Sequence, residues 1–260
     1  MNEVVADLSG LLDLAQSVVW VAALVFVRIG AVVALMPGLG ETAVPQRVKL
    51  VLVVALSLIV TPLVAEQIAA STPEPAISAL AGEAAAGLIL GIGMRFYVLA
   101  LLTAASIIAQ ATTLSQLFAG AAPEPLPAIG NLLVMAGVAL ALAAGLHVTA
   151  AELIVRSYQI LPAGGYPDPG QVADWGLALI SQTFGLAFSL AAPFVIGGTI
   201  YNLALGAINR AMPQLMVSMI GAPALTLGSL ALLAIAVPLL LAVWLDAFAA
   251  HVAQPFGPPR

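Results

Sequence analysis

Cysteine is absent from this 260-residue chain, which excludes disulfide staples, thiolate nucleophiles and cysteine-held metal ions. Charge is nearly as scarce. Asp, Glu, Lys and Arg make up 7% of the residues, against roughly 25% in an ordinary soluble domain, so a continuous water-facing shell cannot be assembled from this sequence. Lys49 is the only lysine and lacks the glycine spacing of a phosphate loop; nucleotide hydrolysis of the P-loop kind is excluded, as is a G-x-S-x-G nucleophile elbow. The basic residues form no run and the formal net charge is −5, so nothing here would gather a phosphate backbone and nucleic acid is not an expected partner. The histidines, His147 and His251, lie outside any zinc-ligand spacing, and neither metal nor cofactor is expected. Asp13, Asp168, Asp174 and Asp246 fall near the ends of apolar runs, which leaves no aspartate dyad for proteolysis inside a membrane. Glu3, Asp7 and Asp13 precede the first basic residue, Arg28; that charge is wrong for a secretory signal, and the first hydrophobic segment is expected to be retained. The expectation is a protein that is not an enzyme.

What the chain has in abundance is apolar sequence, 62% of its residues, arranged in runs long enough to cross a bilayer at about 20 residues each. The first runs from about Ser17 to Met36 and stops at Pro37 and Gly38; the second covers Leu50 to Val64. In the polar stretch Glu66 to Gly82, Ser71 and Glu74 have capping-box spacing around Pro73, which predicts a short helix outside the membrane. A third segment extends from Glu83 to about Ser115, a fourth from Ile129 to Ile154, a fifth from Trp175 to Leu205 and a sixth from Val217 to Ala249. Asp168 before Pro169 reads as an N-cap with proline in the first turn. Between the third and fourth segments lies LFAGAAPEPLPA, whose three prolines cannot propagate a helix. The fold class implied is all-α: residues 1–260 as one polytopic membrane domain of about six apolar, Gly/Pro-kinked helical segments arranged as hairpins.

Arg28, Arg95 and Arg210 lie within or beside these segments. Each would cost roughly 2.5–3.5 kcal/mol at a helix centre, so each needs an acid, a watery surface, a subunit interface, or a headgroup to which it snorkels. Arg95, deep in its run, is expected in a buried pair. Gly87 and Gly91 form a G-x-x-x-G pair in an alanine-rich segment, suited to close packing against protein. LILGIGMR (Leu88–Arg95) and LALGAINR (Leu203–Arg210) share the pattern L-x-L-G-x-x-x-R, which chance readily produces in so apolar a chain and which two related helical hairpins would also produce. Arg47 and Lys49 flank the first connection and Arg210 sits in the last, which favours an outside N-terminus with those connections in the cytoplasm. A stand-alone ion-coupled transporter of small solutes is the competing class; it would place acids within its spans, and Glu83 and Glu152 are the nearest.

Two stretches resemble a known family. VRIGAVVALMPGLGETAVPQRVKLVLVVALSLIVTP, Val27 to Pro62, is similar to the N-terminal signature of the FliR family, an apolar span with an arginine, a Pro/Gly stop and P-x-R-x-x-L. NLALGAINRAMPQLMVSMIGAP, Asn202 to Pro223, is similar to its C-terminal signature, and ILPAG (Ile160–Gly164) also fits. The resemblance implies a structural and gating component of the bacterial flagellar type III export apparatus, in the inner membrane at the flagellar basal body. It implies FliP-like and FliQ-like gate subunits and an FlhB-like protein as partners, surrounding lipid, and unfolded flagellar subunits as cargo. Injectisome relatives usually carry a lysine soon after the C-terminal proline, where this chain reads Pro223, Ala224, Leu225, Thr226; the flagellar branch is favoured. By the same resemblance the plug that closes the gate maps onto Leu117, Phe118, Ala119, Gly120, Ala121, Ala122, Pro123, Glu124, Pro125, Leu126, Pro127 and Ala128. The family's Asp-Pro pair after an aromatic residue is replaced here by AGAAPEP after Phe118.

Overall fold

The computed structural model describes residues 2–71, 77–112, 127–211 and 217–257. These form seven helices and no strand: α1 (Asn2–Leu35), α2 (Gln46–Ser71), α3 (Ile77–Thr112), α4 (Pro127–Ala143), α5 (Leu146–Ile160), α6 (Pro169–Ala211) and α7 (Val217–Ala253). Five are long and apolar enough to cross a membrane, and six spans result if α4 and α5 are counted as one broken span. The chain is an all-α polytopic membrane protein, as its composition requires.

Three local expectations change. No separate short helix forms among the described residues of the polar stretch: α2 continues to Ser71 and α3 starts at Ile77, with 72–76, including Pro73 and Glu74, outside the described residues. Glu66 and Gln67 did not end α2 because Ile68 beyond them is buried, and that apolar contact extends the helix. The fourth segment is not one helix. It breaks after Ala143 and turns through 70°. Gly145 there has φ 91°, a left-handed conformation that costs glycine nothing and other residues 1–2 kcal/mol or so. Its N–H closes α4 onto the Leu142 carbonyl, and its own carbonyl accepts from Val148 and Thr149 to start α5. Finally, Pro127 and Ala128 already belong to α4, with proline in the first turn, where its missing N–H has no helical partner to lose. The Asp168 cap forms as expected, the Gln171 N–H donating to Asp168 Oδ1 at 2.8 Å.

Helix α3 is the hub. It packs on α1, α4, α6 and α7, while α1 also packs on α2, and α5 bridges α2, α4 and α7. Contacts fix the directions: Gly87 lies on Arg28 and Ala31, Gly91 on Val32 and Leu35, so α1 runs parallel to α3, as does α6, whose Trp175 and Gly198 meet Gly93 and Ala111. Helices α4 and α7 run antiparallel to α3, Gly130 facing Ala105 and Leu102, and His251 facing Gly93. The G-x-x-x-G pair makes the α1–α3 approach possible. A Cβ at Gly87 would overlap the Arg28 carbonyl and come within 2.7 Å of the Ala31 methyl; one at Gly91 would come within 2.8 Å of Leu35.

Helices α3 and α6 are 36 and 43 residues long. At 1.5 Å per residue they measure roughly 54 and 65 Å, well beyond a hydrocarbon core of about 30 Å. Tilt absorbs only part of such a mismatch. Large apolar side chains, among them Leu177, Phe184, Phe188, Ile200 and Leu203 on α6, are nevertheless exposed along much of that length.

The close α1–α3 contact generates a direct test. Gly87→Ala should destabilise the protein by about 1–3 kcal/mol through overpacking, whereas Gly185→Ala, where an added Cβ meets nothing within 4 Å, should be neutral or better because alanine favours helix by up to about 1 kcal/mol. Thermal unfolding in a mild detergent, followed by loss of helical circular dichroism, measures both; equal stability of the two variants would contradict the α1–α3 packing.

Candidate functional site

Arg28 sits on the buried stripe of α1, one turn from Leu24 and from Val32, and is itself 0% exposed. Its cost is met by a closed set of partners from three other elements. Nε donates to Glu83 Oε2 at 2.7 Å and an Nη2 hydrogen to Glu83 Oε1 at 3.1 Å. Nη1 reaches Ser157 Oγ on α5 at 3.0 Å, and Nη2 also reaches the Leu161 carbonyl at 3.0 Å. The guanidinium lies over the Tyr158 ring, 3.7 Å from its centroid, within cation–π range.

Glu83, on α3 and equally buried, is satisfied from every side. Besides the two guanidinium hydrogens it accepts the Tyr158 hydroxyl at 3.3 Å and the Gly164 N–H at 2.9 Å. Gly164 has φ 72°, so the turn that aims this N–H inward depends on glycine. The site thus joins α1, α3, α5 and the turn after α5. A carboxylate holding four donors has no lone pair left for an ion or a proton in transit; this is a locked joint. The sequence marks Arg28 and Glu83 separately but carries no sign that they pair, and it does not single out Ser157, Tyr158 or the backbone of Leu161 and Gly164. The available signal was the ILPAG segment, whose Pro and Gly marked a turn near α5.

Arg95 pairs with Glu41, and both side chains are about one third exposed, at 35% and 37%. The fully buried pair belongs to Arg28 instead. The reason is geometric: α1 ends level with Gly91, so the next turn of α3 faces the α1–α2 connection, where Glu41 lies in partly open surroundings. Lys49 caps the same connection by donating to the Gly40 carbonyl at 3.0 Å. Arg210 lies in the last turn of α6 and is exposed. It makes no ion pair among the described residues. The structure therefore does not bring the three arginines together. Residues 117–126 of the expected plug lie outside the described residues, while Pro127 and Ala128 open α4. The flanks are clear: the connection leaves α3 beside Gly198 of α6 and enters α4 beside Ala105. Among the described residues, no three His, Asp or Glu side chains are grouped as a metal ion would require.

The joint has a characteristic mutational signature. Arg28→Met strands a buried carboxylate and should cost about 3–5 kcal/mol, while the double variant with Glu83→Leu should recover most of that loss. Detergent-stability midpoints of the two single variants and the double variant form the cycle; additive losses would mean that the pair is not coupled.

Comparison with known proteins agrees with this framework along almost the whole chain. Residues 19–251 match the family described as bacterial export proteins, family 1. The chain is 34% identical over 241 residues to the flagellar biosynthetic protein FliR of Caulobacter vibrioides, covering 88% of this chain and 93% of that one. It is 30% identical over 218 residues to FliR of Escherichia coli, covering 82% of each, and 26% identical over 214 residues to FliR of Pectobacterium carotovorum, covering 80% of each. The matched region takes in the Arg28–Glu83 joint, the α3–α4 connection and the C-terminal end of α6, and the chain belongs to the FliR family of bacterial export proteins.

Proposed function

We propose that this protein is a structural and gating component of the flagellar type III export apparatus, folded as a single domain and set in the inner membrane at the basal body. It would help form the conduit through which unfolded flagellar subunits leave the cytoplasm. The observation that carries the reading is the family match over 19–251, joined to the name shared by the relatives, flagellar biosynthetic protein. Helix length supports an assembly. Helices of roughly 54 and 65 Å with exposed leucines, isoleucines and phenylalanines outrun any bilayer, so other subunits must cover what lipid cannot. FliP-like, FliQ-like and FlhB-like proteins are the partners this reading assigns. Export energy is assigned to other components, since the sequence has no P-loop.

The plug reading belongs to residues 117–126 of the α3–α4 connection, with Pro127 and Ala128 opening α4. Both of its ends are held by the hub: Ala111 of α3 lies on Gly198, and Gly130 of α4 on Ala105. The sequence of the connection, rich in proline and alanine and uncharged except for Glu124, suits that role. The transporter alternative loses its best acid, because Glu83 is saturated by Arg28, Tyr158 and Gly164.

Two measurements test these assignments. Affinity purification of the tagged chain from its native host in mild detergent should recover FliP-like and FliQ-like proteins in one complex; recovery of the chain alone, under conditions where native assemblies survive, would favour the transporter. Deleting residues 119–124 should leave assembly intact and make closed gates leak small ions in a membrane-conductance recording. Unchanged conductance would remove the plug from this connection.

A further inference from the structure

The pattern L-x-L-G-x-x-x-R occurs twice, and the structure treats its two copies differently. In the first, Gly91 packs against Val32 and Leu35 of α1, and Arg95 four residues on pairs with Glu41, six residues beyond Leu35. A parallel apolar helix fills the glycine, and the turn after it supplies the carboxylate. In the second, Gly206 meets nothing within 4 Å, and Arg210 makes no ion pair among the described residues. The difference follows from length. Ala111, at the end of α3, lies against Gly198, and α6 continues past that point to Ala211, roughly 20 Å at 1.5 Å per residue.

That overhang presents a groove lined by Asn202, Leu203, Gly206, Ala207, Arg210 and Ala211. Small residues at 206, 207 and 211 allow a helix backbone to come close. Asn202 adds an independent demand, because its Oδ1 is shielded and lacks a hydrogen bond. A shielded carboxamide oxygen calls for a donor, and a subunit seated on this face could supply it. Eight residues separate Asn202 from Arg210, roughly 12 Å along the helix. A lipid phosphate could meet Arg210, but an acyl chain 12 Å away offers Asn202 nothing. A second copy of this face does not suffice either: a two-fold contact sets the same surface against itself, and residues 202–211 contain no acid.

We propose that Asn202–Ala211 is the seat of a parallel apolar helix from a different subunit. That helix packs on Gly206, presents a hydroxyl or carboxamide to Asn202, and carries a carboxylate at its end or in the following turn for Arg210. The inference rests on the export-assembly reading and specifies one of its interfaces.

The chain's lack of cysteine makes the test clean. Leu203→Cys, carrying a photoactivatable maleimide, is introduced into the full assembly in membranes of the native host, and adducts are mapped by mass spectrometry. The expected adduct joins an apolar helix of another subunit that has an Asp or Glu within about two turns of the attachment point. It should fall about tenfold, the equivalent of 1.4 kcal/mol, with Arg210→Glu, persist with Arg210→Lys, and return when the partner's acid is changed to arginine. Gly206→Leu, at a position where an added Cβ meets nothing within 4 Å, should also abolish it. Adducts to lipid alone, to a second copy alone or within the chain, or an adduct indifferent to Arg210→Glu and Gly206→Leu, overturn the proposal. If the complex co-purifies intact in that case, the gate reading stands and only the seat is wrong; if no partner subunit co-purifies, the gate reading fails with it.

Discussion

The buried pair of Arg28 and Glu83 is the constraint around which the helices are set. Neither group tolerates an apolar interior alone, and neither can be served by its own helix. Their mutual demand therefore fixes α1 against α3, and the surplus hydrogen-bonding capacity draws in Ser157, Tyr158, Leu161 and Gly164 from α5 and its turn. Apolar contacts in a membrane protein discriminate weakly between registers, because lipid tails are as apolar as leucine. A charged joint with six directed hydrogen bonds discriminates strongly. Glycine at 87, one turn beyond Glu83, lets the two backbones come near enough for the joint to close.

Helices α1, α3 and α6 run parallel, but they stop at different heights: α1 level with Gly91, α3 level with Gly198, and α6 beyond both. The staggered ends leave Glu41 beside Arg95, the 113–126 connection at the end of α3, and an α6 overhang whose Leu203, Gly206, Ala207 and Arg210 are exposed among the described residues. The last step presents a groove lined by Asn202, Leu203, Gly206, Ala207, Arg210 and Ala211.

The number and type of elements were legible in the residues, because apolar run length and proline or glycine stops act locally. The Asp168 cap and the parting of α3 from α4 are examples. Two failures came from non-local or single-residue effects. Glu66 and Gln67 do not end α2, because Ile68 beyond them is buried, and the fourth segment broke at Gly145 because one left-handed residue suffices to turn a helix where hydropathy stays uniform; the cap at Pro73 and Glu74 lies outside the described residues. Of the arginines, depth within a run suggested Arg95 for the buried pair, yet depth along a helix says nothing about where neighbouring helices end.

By itself, the sequence determined that this protein is helical, lives in an apolar setting, carries no thiol, P-loop or zinc-spaced chemistry and has two copies of one glycine–arginine pattern, since composition and spacing are properties of the chain alone. Only the tertiary structure decided which arginine is buried, which acid answers it and which copy of the pattern is left open. Those outcomes depend on the relative heights of helices separated by many residues, and directed hydrogen bonds between them set those heights, not any local preference of the residues concerned.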